Sequence, residues 1–211
     1  MKLHSFTFNP FSENTYVIWD DTKQCAIVDP GCYTNSEQQE LKTFIEDNDL
    51  SPVLLLQTHA HIDHVFGTAF VNRTWGLKPK LHKKEKLVYD SASMIGMQYG
   101  VPIAALPEAE YSLEGGDEVT FGSTTLQVLF TPGHSPGSVC FYCEKDRLVL
   151  AGDVLFQGSI GRTDLPGGDY NTLIHSINTR LLTLGDEVTV YSGHGPKTKI
   201  VFEKLHNPFL S

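Results

Sequence analysis

The heptapeptide Thr58-His59-Ala60-His61-Ile62-Asp63-His64 constrains what this chain can fold into more than any other stretch. It follows Val53-Leu54-Leu55-Leu56, an apolar run bounded by Pro52 and Gln57. A short continuous apolar run between turn signals reads as a strand covered on both faces. The histidines therefore begin where a buried strand ends, which is where open α/β sheets bind ligands. His59 and His61 stand two apart, so an extended backbone turns both rings to one side. Asp63 and His64 follow at once. No packing requirement explains three imidazoles and a carboxylate beside a hydrophobic strand. Together they are a ligand set for a divalent metal, with zinc first and iron or manganese as alternatives.

Three further strand ends carry the same pattern. Thr131-Pro132-Gly133-His134 follows Val128-Leu129-Phe130, Ala151-Gly152-Asp153 follows Leu148-Val149-Leu150, and Ser192-Gly193-His194 follows Val188-Thr189-Val190-Tyr191. Each is a strand, then a small residue, then a ligand-type residue, and glycine there permits close backbone approach. His4, His82, His175 and His206 lack that context and read as surface or satisfied histidines. Asp29-Pro30-Gly31 reads equally as an ordinary turn and as a brace behind the metal loop.

Residues 3–8, 15–19 and 24–28 alternate as three antiparallel strands. Ser36 with Gln39 predicts a capping box opening a helix that ends near Asn48. Apolar spacing predicts one helix over 65–75, stopped by Gly76, and another over 84–98 with Leu87, Val88, Met94 and Ile95 inward. Residues 101–110 read as a loop bordering a pocket. The second half predicts strands at 118–121, 125–130, 138–142, 148–150 and 188–191, a helix from Asp169 to about Leu184, and a closing helix over 198–205. Strands then helix, twice over, imply two layered halves: an α/β (α+β) chain folded as a four-layer αββα sandwich. With no linker or low-complexity tract, residues 1–211 read as one domain.

The 211 residues carry a net charge of −9, with a pI near 5.4. That balance argues against a nucleic-acid partner, whose phosphates need cationic neutralisation. The basic stretch from Lys78 to Lys86 reads as a strand end and a solvated helix start. No apolar stretch approaches the ~18 residues of a membrane span. The N-terminus lacks an apolar signal core, so the expectation is a cytoplasmic protein. Cys140 and Cys143 face opposite sides of a strand, and Cys25 and Cys32 stand apart, so all four read as free thiols.

Thr-His-Ala-His-Ile-Asp-His, Thr-Pro-Gly-His, Gly-Asp and Ser-Gly-His-Gly, in this order, resemble the metallo-β-lactamase-fold superfamily over nearly the whole chain. The stretch from Gly152-Asp153 to Gly161-Arg162-Thr163-Asp164 resembles its glyoxalase II (hydroxyacylglutathione hydrolase) branch, most closely the short bacterial forms. The resemblance implies a metallo-β-lactamase fold with one metal on His59, His61 and His134. A second metal falls on Asp63, His64 and His194, with Asp153 bridging the two. Seven ligands exceed one tetrahedral site and suit a pair of metals with an open position. The implied activity is hydrolysis of a small-molecule thioester such as S-D-lactoylglutathione by a metal-bridging hydroxide, with Asp63 orienting it and taking a proton. Arg162 falls where that branch touches the glutathione carboxylate. The best-known β-lactamases of the superfamily carry Cys at the Asp153 position and Arg at the His64 position, which disfavours antibiotic hydrolysis. Full-length glyoxalase II enzymes add a C-terminal helical domain that supplies glutathione contacts, and the resemblance to the short forms leads to the expectation that those contacts are missing here. Two alternatives are an iron-dependent persulfide dioxygenase using His59, His134 and Asp153, and a lactonase or other esterase.

Overall fold

The computed structural model describes residues 1–210. The first half builds a six-stranded sheet in sequential order: β1 (Lys2–Phe8), β2 (Glu13–Trp19), β3 (Gln24–Val28), β4 (Ser51–Leu56), β5 (Pro79–His82) and β6 (Glu110–Leu113). The first three strands are antiparallel, as the alternation predicts, and β3 to β6 are parallel. Parallel neighbours need crossovers. Helix α1 (Asn35–Asp47) joins β3 to β4, and α2 (Ile62–Val65) with α3 (Thr68–Trp75) joins β4 to β5. Helix α4 (Lys86–Gln98) lies between β5 and β6.

The second half repeats the plan with β7 (Glu118–Phe121), β8 (Thr124–Phe130), β9 (Val139–Cys143) and β10 (Leu148–Gly152). A small hairpin, β11 (Leu155–Phe156) and β12 (Ser159–Ile160), follows. Then come α5 (Tyr170–Ser176), β13 (Thr189–Ser192), β14 (Thr198–Lys199) and α6 (Ile200–His206). The second sheet runs β14-β13-β10-β9-β8-β7.

The two sheets face each other across a core that joins Ile18, Val28 and Leu56 to Leu126, Phe141 and Leu150. Outside the first sheet, Val17, Ile27 and Leu55 pack on Leu41 and Ile45 of α1 and Val71 of α3. Outside the second, Val149 and Val190 pack on Leu173 of α5 and Ile200 of α6. This is the expected αββα layering. The four cysteines are free and buried, with Cys140 in the outer core and Cys143 in the inter-sheet core, as opposite-facing positions require. Among the described residues no helix is long and apolar enough to cross a membrane.

Several local expectations are corrected. The capping box uses Thr34 and Glu37, not Ser36 and Gln39: Glu37 N donates to Thr34 Oγ1 while the Glu37 carboxylate accepts Thr34 N. The predicted 65–75 helix breaks at Phe66-Gly67, where Gly67 N donates to Pro30 O at 2.7 Å and a Cβ on Gly67 would strike Cys32 Sγ. Gly76 does end α3, in the left-handed conformation at φ 72°. Leu87 and Met94 of α4 are exposed; Tyr89, Ala92 and Gly96 face inward instead. The helix after Asp169 is α-helical only to Ser176 and continues as a π-helical turn over Ile177–Leu181. Strand β6 lies at the end of the expected loop.

Candidate metal centre

Strands β3 and β4 run parallel in one sheet, and β10 and β13 in the other. Strand β8 is antiparallel to β9, which is antiparallel to β10, so β8 also shares their direction. The carboxyl ends of β4, β8, β10 and β13 deliver the heptapeptide, His134, Asp153 and His194 to one region. All seven sequence-predicted ligands come together there.

The first group is His59, His61 and His134. His134 Nε2 lies 3.2 Å from His59 Nε2 and 2.8 Å from His61 Nδ1. The second group is Asp63, His64 and His194, with His194 Nε2 3.1 Å and His64 Nε2 3.7 Å from Asp63 Oδ2. Asp153 stands between them. Its Oδ1 is 3.3 Å from His64 Nε2, and its Oδ2 is 3.6 Å from His134 Nε2 and 3.5 Å from His194 Nε2.

Hydrogen bonds behind the rings fix which nitrogens face inward. His134 Nδ1 donates to Arg162 O at 2.8 Å, and His194 Nδ1 to Phe11 O and Ser12 O at 3.1 and 3.2 Å. Thr58 Oγ1 donates to Asp29 Oδ2, so it accepts from His59 Nδ1 at 3.0 Å. A ring whose Nδ1 carries the proton presents a lone pair at Nε2. The Nε2 lone pairs of His59 and His134 therefore point at each other with no proton between them. His64 Nε2 and Asp153 Oδ1 are buried without a hydrogen-bond partner. Orphaned polar atoms and converging lone pairs cost free energy unless a cation sits among them. The donor set thus fits divalent metal, and the ring supports follow the pattern of metal-bound histidines.

The electrostatics divide the centre in two. Burial and the neighbouring imidazoles push His59 well below its ordinary pKa, and burial with His134 takes His61 down to about 3. Burial also lowers His134. These rings are neutral, as ligands must be. Burial works against a charge on His64, but Asp153 and Asp63 outweigh it and raise its pKa well above the ordinary value. His194 is raised too, against burial, by its contact with Asp63 and by Asp153. Asp63 and Asp153 are held low despite burial, chiefly by His64. The two carboxylates thus favour positive charge in this half, which is the charge a divalent ion supplies.

Asp29, His59 and His64 also converge. Asp29 is already engaged, accepting from Thr58 N at 2.7 Å, from Thr58 Oγ1 and from His64 Nδ1 at 3.1 Å. Of the two readings of Asp29-Pro30-Gly31, the brace is the one observed. Gly193 is required by close approach: a Cβ there would strike Asp153 Oδ1 and His64. Arg162 meets the centre through its backbone carbonyl. Its exposed guanidinium forks onto Asp164 at 2.7 and 2.8 Å. His82 is buried, stacked on Phe130 and hydrogen-bonded by Lys84 N, so it is satisfied as expected.

The sequence concealed Glu85. Among three lysines it looks solvated, yet it is fully buried. It accepts from Ala60 N at 2.9 Å, Ser135 Oγ at 2.5 Å and Gly137 N at 2.6 Å, tying the heptapeptide to the His134 loop. Asn9, Glu13 and Gln57 were missed as well. Asn9 Nδ2 and Gln57 Nε2 donate to the backbone carbonyls of Asp63 and His64, and Glu13 lies beneath His64. No local pattern marks any of them.

A family model for the metallo-beta-lactamase superfamily matches residues 8–194. The probable metallo-hydrolase YqgX of Bacillus subtilis is 43% identical, covering 100% of this chain and 98% of that protein. The hydroxyacylglutathione hydrolase GloC of Haemophilus influenzae is 38% identical, covering 100% and 99%. The crystal structure of the BLEG-1 B3 metallo-beta-lactamase superposes with a TM-score of 0.90 at 38% identity, over all of both chains. TTHA1623 in a di-iron-bound form gives 0.88 at 38% identity, covering 98% of this chain and 100% of that one. With the strand-end ligands and the αββα sandwich already in place, these matches make the chain a member of the metallo-beta-lactamase superfamily.

Proposed function

We propose that this metallo-hydrolase cleaves a small-molecule thioester of the S-D-lactoylglutathione kind. The observation that carries the reading is the double ligand set, with Asp153 facing both halves and the Nε2 atoms of His59 and His134 converging. The full-length likeness to GloC supports the substrate class. The acidic charge supports a small-molecule partner over nucleic acid.

His59, His61 and His134 would hold one divalent ion and Asp63, His64 and His194 the other, with Asp153 shared. Zinc suits these donors; the di-iron form of TTHA1623 supports iron as well. Such ions, when bound, bring water toward ionisation near neutral pH and stabilise negative charge on a carbonyl oxygen. The chain's own groups do the rest. Asp63 is ionised and partly open to solvent, so its carboxylate can orient the attacking water and accept its proton. Water oxygen bonds to the thioester carbon, the C–S bond breaks, and the thiolate leaves with the bonding pair. A thiolate is a good leaving group, so no dedicated general acid is needed. Arg162 would take a substrate carboxylate only by exchanging its present partner, Asp164.

The test is thiol release from S-D-lactoylglutathione by zinc-loaded protein. Release is expected, and Asp63→Ala is expected to lower it by about a hundredfold or more. No release by either protein would sink the substrate assignment. The same attack opens a lactone or a β-lactam, and the likeness to BLEG-1 makes a β-lactam the second substrate to assay. Persulfide oxidation with a single iron on His59, His134 and Asp153 is the rival reading. Oxygen uptake with glutathione persulfide and iron-loaded protein measures it.

A further inference from the structure

Apart from Asp29, which engages both Thr58 and His64, the two halves of the centre are braced by different parts of the chain. His59 and His134 rest on Thr58 and on Arg162 O, and Glu85 ties their loops together. Asp63 and His194 rest instead on the turn between β1 and β2. Asn9 Nδ2 donates to Asp63 O at 3.1 Å and to Gly31 O at 3.0 Å. The next residues of the same turn, Phe11 and Ser12, accept His194 Nδ1 on their carbonyls. The strand that follows continues the grip. Asn14 N donates to Gly193 O at 2.7 Å, and Asn14 Nδ2 to Ser192 O and Gly195 O at 3.1 and 2.8 Å.

Asn9 holds the turn in shape by its own contacts. It adopts φ 56°, a left-handed conformation that asparagine tolerates better than most residues. Its Oδ1 accepts Phe11 N at 3.0 Å, and its O accepts Ser12 N at 3.1 Å. Its own N donates to Glu37 Oε1 at 2.7 Å, the carboxylate that also caps α1. One residue thus fixes, by its side chain, the Asp63 backbone and the start of the turn and, by its backbone oxygen, the end of the turn whose carbonyls orient His194.

We propose that Asn9 is a positioning residue that sets metal affinity in the Asp63–His64–His194 half alone. The inference rests on the ligand assignment above. Partners that orient metal ligands are worth about 10–100-fold in affinity. The experiment is zinc titration of the metal-free protein against a chromophoric chelator, for wild type, Asn9→Gly and Asn9→Asp. Asn9→Gly keeps the left-handed turn and removes the amide. Asn9→Asp keeps the Phe11 contact and replaces the donor with an acceptor. Wild type is expected to bind two equivalents. Each variant is expected to hold the first equivalent as wild type does and the second about 10–100-fold more weakly. A wild type that binds a single equivalent overturns the ligand assignment, and this inference with it. Two equivalents in wild type, with both weakened equally or neither weakened in the folded variants, overturns the role of Asn9 and leaves the assignment standing.

Discussion

Asp153→Asn is expected to abolish hydrolysis and to cost the protein at least one of the two metal equivalents proposed for it. Asp153 is the only candidate ligand whose two oxygens lie near both halves: Oδ1 3.3 Å from His64 Nε2, and Oδ2 3.5 and 3.6 Å from His194 and His134. Its carboxylate is held ionised, against burial, by the histidines around it. The amide keeps the shape and removes the charge. His64 then loses the largest influence that favours its charged form. The amide NH2 also offers a donor where a lone pair is needed. The loss should exceed the about 10–100-fold typical of residues that only orient ligands. Metal content measured beside turnover separates the two effects. Turnover within about tenfold of wild type, at full metal content, would remove Asp153 from the mechanism.

Glu85→Ala is expected to destabilise the protein by about 3–5 kcal/mol, because it strands buried donors. Ala60 N and Gly137 N both point at this carboxylate, and neither can reach water once it is gone. Ser135→Ala removes a donor rather than the acceptor and should cost only about 1 kcal/mol. For a chain of this size the first change corresponds to a melting temperature roughly 10 °C lower. Thermal unfolding of the metal-free proteins reads this directly. Because Glu85 joins the His59–His61 loop to the His134 loop, the first metal should weaken as well. A Glu85→Ala protein as stable as wild type would mean that the two loops hold their positions without it.

The candidate ligands that converge were legible in the sequence because each is announced locally: an apolar strand, a small residue, then His or Asp. The bracing residues were not, because their partners are remote in the chain. Glu85 meets Ser135 fifty positions on, and Asn9 meets Asp63 fifty-four positions on. A polar residue among lysines or in a turn gives no sign of such a partner. The same distinction separates the elements. Strands with apolar alternation were readable, whereas the two-residue strands β11, β12 and β14 exist only through their pairing. Helix α4 misled because Leu87 and Met94 sit on its exposed face, while the buried face is made of Tyr89, Ala92 and Gly96. Thr34 and Ser36 both begin capping-box patterns, and only the chain's exit from β3 decides between them.

The most direct test of the account is anomalous diffraction from crystals grown with zinc. Two peaks are predicted, one among His59, His61 and His134 and one among Asp63, His64 and His194, with Asp153 between them. A single peak, or zinc bound away from these residues, would contradict the central claim that this sandwich is built around a two-metal centre.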